Sequence, residues 1–478
     1  AEAERAVSGN LFWREQMPAI KEQAEDFDRL YKEFRAQQTT YGGRVTKKDK
    51  DDLRDKLRAI GDTLDRFLAA EYGIDENHYP SEAAYNEKFA AWRASHQPFH
   101  WFVEFYGIVH VRGGFDVIIG NPPYVEWSKV KDYDVPLRLY QTRACGNLYT
   151  VVCERCYALL TGSGHFGMIV PISCVATSRM EELRALWRDG RIETYASHYS
   201  GDSHPSVLFQ GVKFRLTILL QRKSPFSGSI YSTHFQRWLP EGRSNLFALI
   251  EYTALPHSIV RGGLVPKGSG PCHSNLLVRL CMTRQRIEQS VRPHASFQVY
   301  SHRIIAHFVK AMDFVPFFRN EREGEKKSED YKIFPVESAN LQNTLAALLN
   351  SSLFYSWFVS YSDVYHCGRE IILDFPCDLQ RLDESFGGKL GEINARLMQS
   401  LREHSIRRAI PYKATGLVEY DEFYPRLSKP IIDEVDRVLA RHYGFSDEEL
   451  DFIINYDIKY RMGAESSGGG ADAGDGEE

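Results

Sequence analysis

One stretch constrains this chain more than any other: Phe115-Asp116-Val117-Ile118-Ile119-Gly120-Asn121-Pro122-Pro123-Tyr124. Residues 115–119 are almost all apolar and end in three β-branched side chains. That pattern reads as a short strand buried on both faces, of the kind found inside a parallel sheet. Gly120 ends it. Pro122 and Pro123 each fix φ and remove a donor, so neither helix nor strand can continue. The chain must turn out over the carboxyl edge of the sheet. Ligands of open α/β sheets bind along that edge. The turn therefore brings an amide, two rigid carbonyls and the Tyr124 ring to a ligand edge.

The flanking chain reads as alternating elements. Residues 1–98 are polar and helical, with amphipathic patterns over 11–38 and 51–72 joined by a loop, an αα-hairpin. A third helix covers 81–95, with Ser81 as its cap. After the motif, helices are expected over 138–145 and 147–160, a turn at 162–164 and a second buried strand over 165–170. A helix over 179–189 and strands over 192–198 and 212–220 follow. This alternation gives βαβ units and a largely parallel α/β sheet.

Residues 236–425 are rich in aromatics, histidines and turn residues and only weakly periodic. Short strands are expected over 297–300 and 332–336, and helices over 341–349 and 352–359. Such a loop-rich α+β region suits recognition by side chains carried on loops. Helices over 390–403 and 431–443 read as buttresses of the half bearing the motif. The Gly-, Ser- and acid-rich end is expected to be disordered. The expected division is 1–98, a helical insertion; 99–235, the half bearing the motif; 236–425, a recognition region; 426–463, closing helices; and 464–478, an acidic tail.

Composition narrows the classes. No run of 18 apolar residues exists, so no membrane span is expected. Eight cysteines scattered through 478 residues fit reduced thiols in a cytoplasm better than a disulfide framework. Cys153 and Cys156 form one CxxC inside a helical stretch without a second pair at zinc spacing, so buried cysteines are expected there and no metal. The formal charge of −5 argues against a uniformly basic nucleic-acid binder. Yet residues 200–310 hold fourteen Lys/Arg against four Asp/Glu, a local excess of ten that is compatible with DNA contact.

Asn121-Pro122-Pro123-Tyr124 after such a strand resembles motif IV of the amino-methyltransferases, which use S-adenosylmethionine. The resemblance is closest to the adenine-specific (N6) DNA methyltransferases of the fused restriction–modification and phage-defence type, called type IIG-like, over most of residues 99–463. It implies the second half of a Rossmann-like methyltransferase sheet, preceded by a helical insertion and followed by a target recognition domain. It implies double-stranded DNA as partner. Asn121 and the Pro122 carbonyl would accept the hydrogens of an adenine amino group, Pro123 would stiffen the turn, and Tyr124 would stack on the extruded base. Phe209, in the approach to the last strand, would pack against that base or be a core phenylalanine.

The departure from the family is equally definite. Its cofactor site lies upstream of motif IV, on a strand followed by a Gly-rich loop. No such pattern precedes residue 115, where Gly42-Gly43 and Gly113-Gly114 stand in the wrong context. Asp116 is at most adjacent to a cofactor. The chain is thus expected to hold the target-base half, with the S-adenosylmethionine half on an amino-terminal segment or a second subunit. Two alternatives stand beside this one. The first is a non-catalytic DNA-recognition subunit of a split methylase. The second is a methyltransferase acting on a protein glutamine or an RNA guanine.

Overall fold

The computed structural model describes residues 47–463 apart from 106, 132–138, 190, 202–207, 210–213, 225–227, 269 and 414, together with isolated positions before residue 47. Most of the helix expected over 11–38, and the acidic tail, lie outside the described residues. The chain divides into two compact units. The first holds residues 1–174, 178–196 and 216–230; the second holds 175–177, 197–215 and 231–478.

In the first unit, α1 (Lys47–Glu71) packs on α2 (Glu82–His96). Ser81 accepts a hydrogen bond from Ala84 N at 3.3 Å, the cap expected from sequence. Ala69, Tyr85, Phe89 and Trp92 form the core of this pair. The buried Asp65 carboxylate holds it to the next segment, accepting from Arg93 at 2.8 Å and His100 at 2.7 Å.

The sheet follows. Its strands in the first unit are β1 (Phe115–Gly120), β2 (Leu160–Pro171), the start of β3 (Ile192–Tyr199) and β4 (Leu216–Lys223), in the order β1-β2-β4-β3. β1 and β2 are parallel, with Val117 opposite His165 and Gly120 opposite Met168. β4 runs antiparallel to β2, so the sheet is mixed. Helices α3 (Leu148–Leu159) and α4 (Glu181–Asp189) occupy the intervals between strands. Asn147 caps α3 by accepting from Tyr149 N. A buried polar chain links these layers. Trp187 Nε1 donates to Tyr157 Oη at 2.9 Å, Tyr157 donates to Gln221 Oε1 at 2.6 Å, and Gln221 Nε2 donates to Thr194 Oγ1 at 2.8 Å.

Several expectations change here. Residues 162–164 are not a turn. They lie inside β2, where the register against β1 shifts between Phe115 and Val117. The helix expected over 138–145 is a 3₁₀ helix at Gln141–Cys145. The last strand begins at Leu216 rather than 212.

The largest correction concerns β1. Among the described residues it is the edge of its sheet, and Val117 and Ile119 are 58% and 78% exposed. The register carries this exposure across the sheet: Ile119 lies opposite Gly167, which lies opposite Leu220, 48% exposed. The alternate residues Phe166, Met168, Val170 and Leu219 are buried. One face is thus covered and the other open. An apolar run reports affinity for burial; it does not report whether the same chain supplies the cover.

In the second unit, the end of β3 meets β5 (Ile230–Gln236) through Ser200 N and Gln236 O at 3.0 Å. β5 pairs with β6 (Thr253–Ala254). Helix α5 (Gly270–Met282) follows. Strands β7 (Phe297–His302), β8 (Ala311–Met312), β9 (Phe318–Asn320), β10 (Gly324–Glu325), β11 (Tyr331–Val336), β12 (Ile406–Tyr412) and β13 (Gly416–Glu422) form two small sheets, β11-β7-β8 and β10-β9-β13-β12. The longer helices that follow are α6 (Ala339–Asn350), α7 (Ser352–Tyr361), α8 (Leu379–Glu403), α9 (Lys429–Tyr443) and α10 (Asp447–Ile454).

Every residue of α7 is buried. Its amino end is capped from α9: the Asp436 carboxylate accepts from Ser352 N at 3.2 Å and Leu353 N at 3.1 Å. A negative group suits the positive end of a helix.

Candidate functional site

The site grows from the end of β1. Gly114 has φ +135°, and a Cβ there would meet Leu159 O at 2.5 Å, so only glycine lets the chain enter β1 past the end of α3. Beyond Gly120, Asn121 and Pro123 are exposed, Pro122 is buried and Tyr124 is half-buried. Asn121 is therefore not turned into the interior. The Tyr124 hydroxyl lies 2.6 Å from Asn121 Oδ1 and 2.8 Å from the Ile169 carbonyl of β2, both acceptors for its one hydrogen. Burial, with the Cys174 and Cys153 thiols as lesser causes, pushes the Tyr124 pKa up to about 12, so the phenol keeps its hydrogen at physiological pH.

Ile169 was not foreseen from sequence. The signal for it is register: with Gly120 opposite Met168, the next residue of β2 lies beside the turn.

The remaining predicted residues fall elsewhere. Asp116 is exposed on β1. Phe209 belongs to the second unit and is exposed, and the residues on both sides of it are largely outside the described set. Cys153 is fully buried in α3, and burial pushes its thiol well above the usual range. The residues described ahead of β1 are helical or irregular, with no strand among them. They do not fit a strand–glycine loop–helix cradle for S-adenosylmethionine.

The basic excess over 200–310 also changes meaning in space. Seven of its arginines pair with acids, all outside that stretch: Arg222 with Glu193, Arg237 with Asp457, Arg261 and Arg286 with Asp374, Arg279 with Glu449, Arg292 with Glu337 and Arg303 with Asp330. Lys267 is fully buried and donates to Ser362 O at 2.7 Å. A charge window along the sequence counts these as available cations; the fold engages them internally.

Residues 30–202 match a family model described as Eco57I restriction-modification methylase. That match spans α1, α2, the motif and the sheet through β3. No curated protein matches.

Similar solved structures include the type IIL restriction-modification enzyme MmeI in complex with DNA, at 10% identity over 72% of this chain and 57% of that one, TM-score 0.37. The DrdV–DNA complex has 11% identity over 71% and 56%, TM-score 0.30. The ATP-dependent type ISP restriction-modification enzyme LlaBIII bound to DNA has 11% identity over 64% and 32%, TM-score 0.30. This chain spans about a third to somewhat over half the length of those proteins. Among the described residues, no helix is long and apolar enough to cross a membrane.

Proposed function

We propose that this chain is the target-base half of a DNA methyltransferase of a restriction–modification or phage-defence system, acting on adenine N6 in double-stranded DNA. The observation that carries the reading is the exposed Asn121 amide beside the Tyr124 ring, at the carboxyl end of a sheet strand. The match of residues 30–202 to a restriction-modification methylase family supports it.

An adenine amino nitrogen is a poor nucleophile because its lone pair is delocalised into the ring. Two acceptors drawing on its two hydrogens favour a pyramidal nitrogen with a localised lone pair. Asn121 Oδ1 and the Pro122 carbonyl are those acceptors. Pro123 holds the turn rigid, and Tyr124 offers a face for a base whose extrusion costs on the order of a few kcal/mol. Asn121 is the residue for which a catalytic role is proposed; no side-chain base is needed.

The methyl donor of this reading is S-adenosylmethionine. Its site would come from a further segment or a second subunit that adds a strand beside β1 and covers the open face. The exposed edge and the exposed Val117, Ile119 and Leu220 support that arrangement. Residues 236–425 would read the DNA target, in a cytoplasmic complex.

A second reading, a DNA-recognition subunit without catalysis, draws on the absence of a strand ahead of β1 among the described residues. The test is methyl transfer by the chain together with its candidate partner chains, offered duplex DNA, RNA and peptide. N6-methyladenine in the duplex is expected. Methyl label confined to RNA or to glutamine contradicts the reading, and salt-dependent duplex binding without transfer supports the second. Calorimetric titration of residues 1–478 alone with S-adenosylmethionine is expected to show no low-micromolar binding.

A further inference from the structure

At the end of β1 one hydroxyl hydrogen stands between two acceptors. Tyr124 Oη is 2.6 Å from Asn121 Oδ1 and 2.8 Å from Ile169 O. A phenol carries one hydrogen. Donated to Asn121, it commits the oxygen that a substrate amine would use, and Ile169 O faces an oxygen without a hydrogen between them. Donated to Ile169, it leaves Asn121 Oδ1 and Tyr124 Oη in a 2.6 Å contact with no hydrogen shared.

Turning the Asn121 amide by half a revolution about Cβ–Cγ removes both conflicts. Nδ2–H then donates to Tyr124 Oη, the phenol donates to Ile169 O, and Oδ1 points away from the tyrosine. Asn121 is exposed, so the turned oxygen has room to meet a ligand.

We propose that Tyr124 is a positioning residue whose hydroxyl selects between a closed amide, with Oδ1 held by the phenol, and an open amide, with the phenol anchored on the Ile169 carbonyl and Oδ1 presented to the amino group being methylated. This rests on the function proposed above. With its pKa pushed up to about 12, the phenol has its hydrogen in both states. The role is distinct from stacking, because a phenylalanine ring could stack and could not hold the amide.

The variant is Tyr124→Phe, which keeps the ring. In the full chain, exchange of the Asn121 side-chain amide hydrogens is followed by ¹⁵N nuclear magnetic resonance, the signal being assigned by its loss in Asn121→Asp. Wild-type protein is expected to protect one Nδ2 hydrogen, and Tyr124→Phe to exchange it about tenfold faster, the loss of one hydrogen bond. Unchanged exchange overturns the proposal.

With the completed enzyme, Tyr124→Phe is expected to lower kcat about tenfold with KM for DNA unchanged. A raised KM with unchanged kcat would assign Tyr124 to binding alone and also overturn it. If the wild-type protein methylates no DNA, the function reading fails, while the exchange comparison still decides what the hydroxyl does.

Discussion

β1 and α7 are both short and apolar, and their surroundings are opposite. All ten residues of α7 are buried, and α6, α9 and α10 pack against it. Even its orphan amino-terminal N–H groups are met, by the Asp436 carboxylate. Among the described residues, β1 has a strand on one side only, and Val117 and Ile119 are exposed. The first element is complete within the chain. The second has the composition of a buried strand without the cover, and the candidate site is at its end. The difference separates what the chain does for its own stability from what it holds ready for something else.

That contrast can be broken by mutation. Phe358→Ala in α7 is expected to cost about 3–5 kcal/mol, read from urea unfolding, because a fully buried ring leaves a cavity. A cost under about 1 kcal/mol would mean the helix is not the closed core described.

The cap on α7 adds a pH signature. Burial raises the Asp436 pKa from 3.8 to about 6, against the opposing pull of the Leu353 N–H, the Ser352 side chain, Arg461 and Lys429. The native state then holds a proton that the unfolded chain releases between about pH 4 and 6, so this group's contribution falls as pH rises through 6. The full span is about 3 kcal/mol. Asp436→Asn should flatten the difference in unfolding free energy between pH 4 and pH 7. An unchanged slope would remove Asp436 as its source.

Inside the first unit, Tyr157→Phe strands Trp187 Nε1–H and Gln221 Oε1, and should cost about 1–3 kcal/mol. Ile119→Thr sharpens the comparison from the other side. In this chain alone it should change stability by no more than about 0.5 kcal/mol, as at an exposed position. A loss near 2 kcal/mol would show that Ile119 is already covered.

The strand end and its turn were legible in the sequence, as was one helix start. The Gly120 stop, the two prolines and Ser81 as a cap each work through local backbone chemistry, which sequence carries directly. What failed was relational. The edge position of β1 depends on which strands exist beside it, and a run of apolar residues is silent on that. The four-stranded sheet β10-β9-β13-β12 was missed because its surface strands carry cross-strand ion pairs, Arg407 with Asp421 at 2.5 Å and Arg408 with Glu422 at 2.7 Å, in place of a clear apolar alternation. The ion pairs of the basic stretch were not legible for a related reason: their acids are distant in sequence, as with Arg237 and Asp457.

The central claim is that Asn121 receives the amino group to be methylated. Its most direct test compares nucleosides, by mass spectrometry, from duplex DNA treated with the completed enzyme carrying either Asn121 or Asn121→Ala, at matched folded protein. N6-methyladenine should form with wild-type protein, and the variant should be slower by about 100- to 1000-fold, as when one preorganised polar contact to a reacting group is lost. Near wild-type formation of N6-methyladenine by Asn121→Ala would contradict the account.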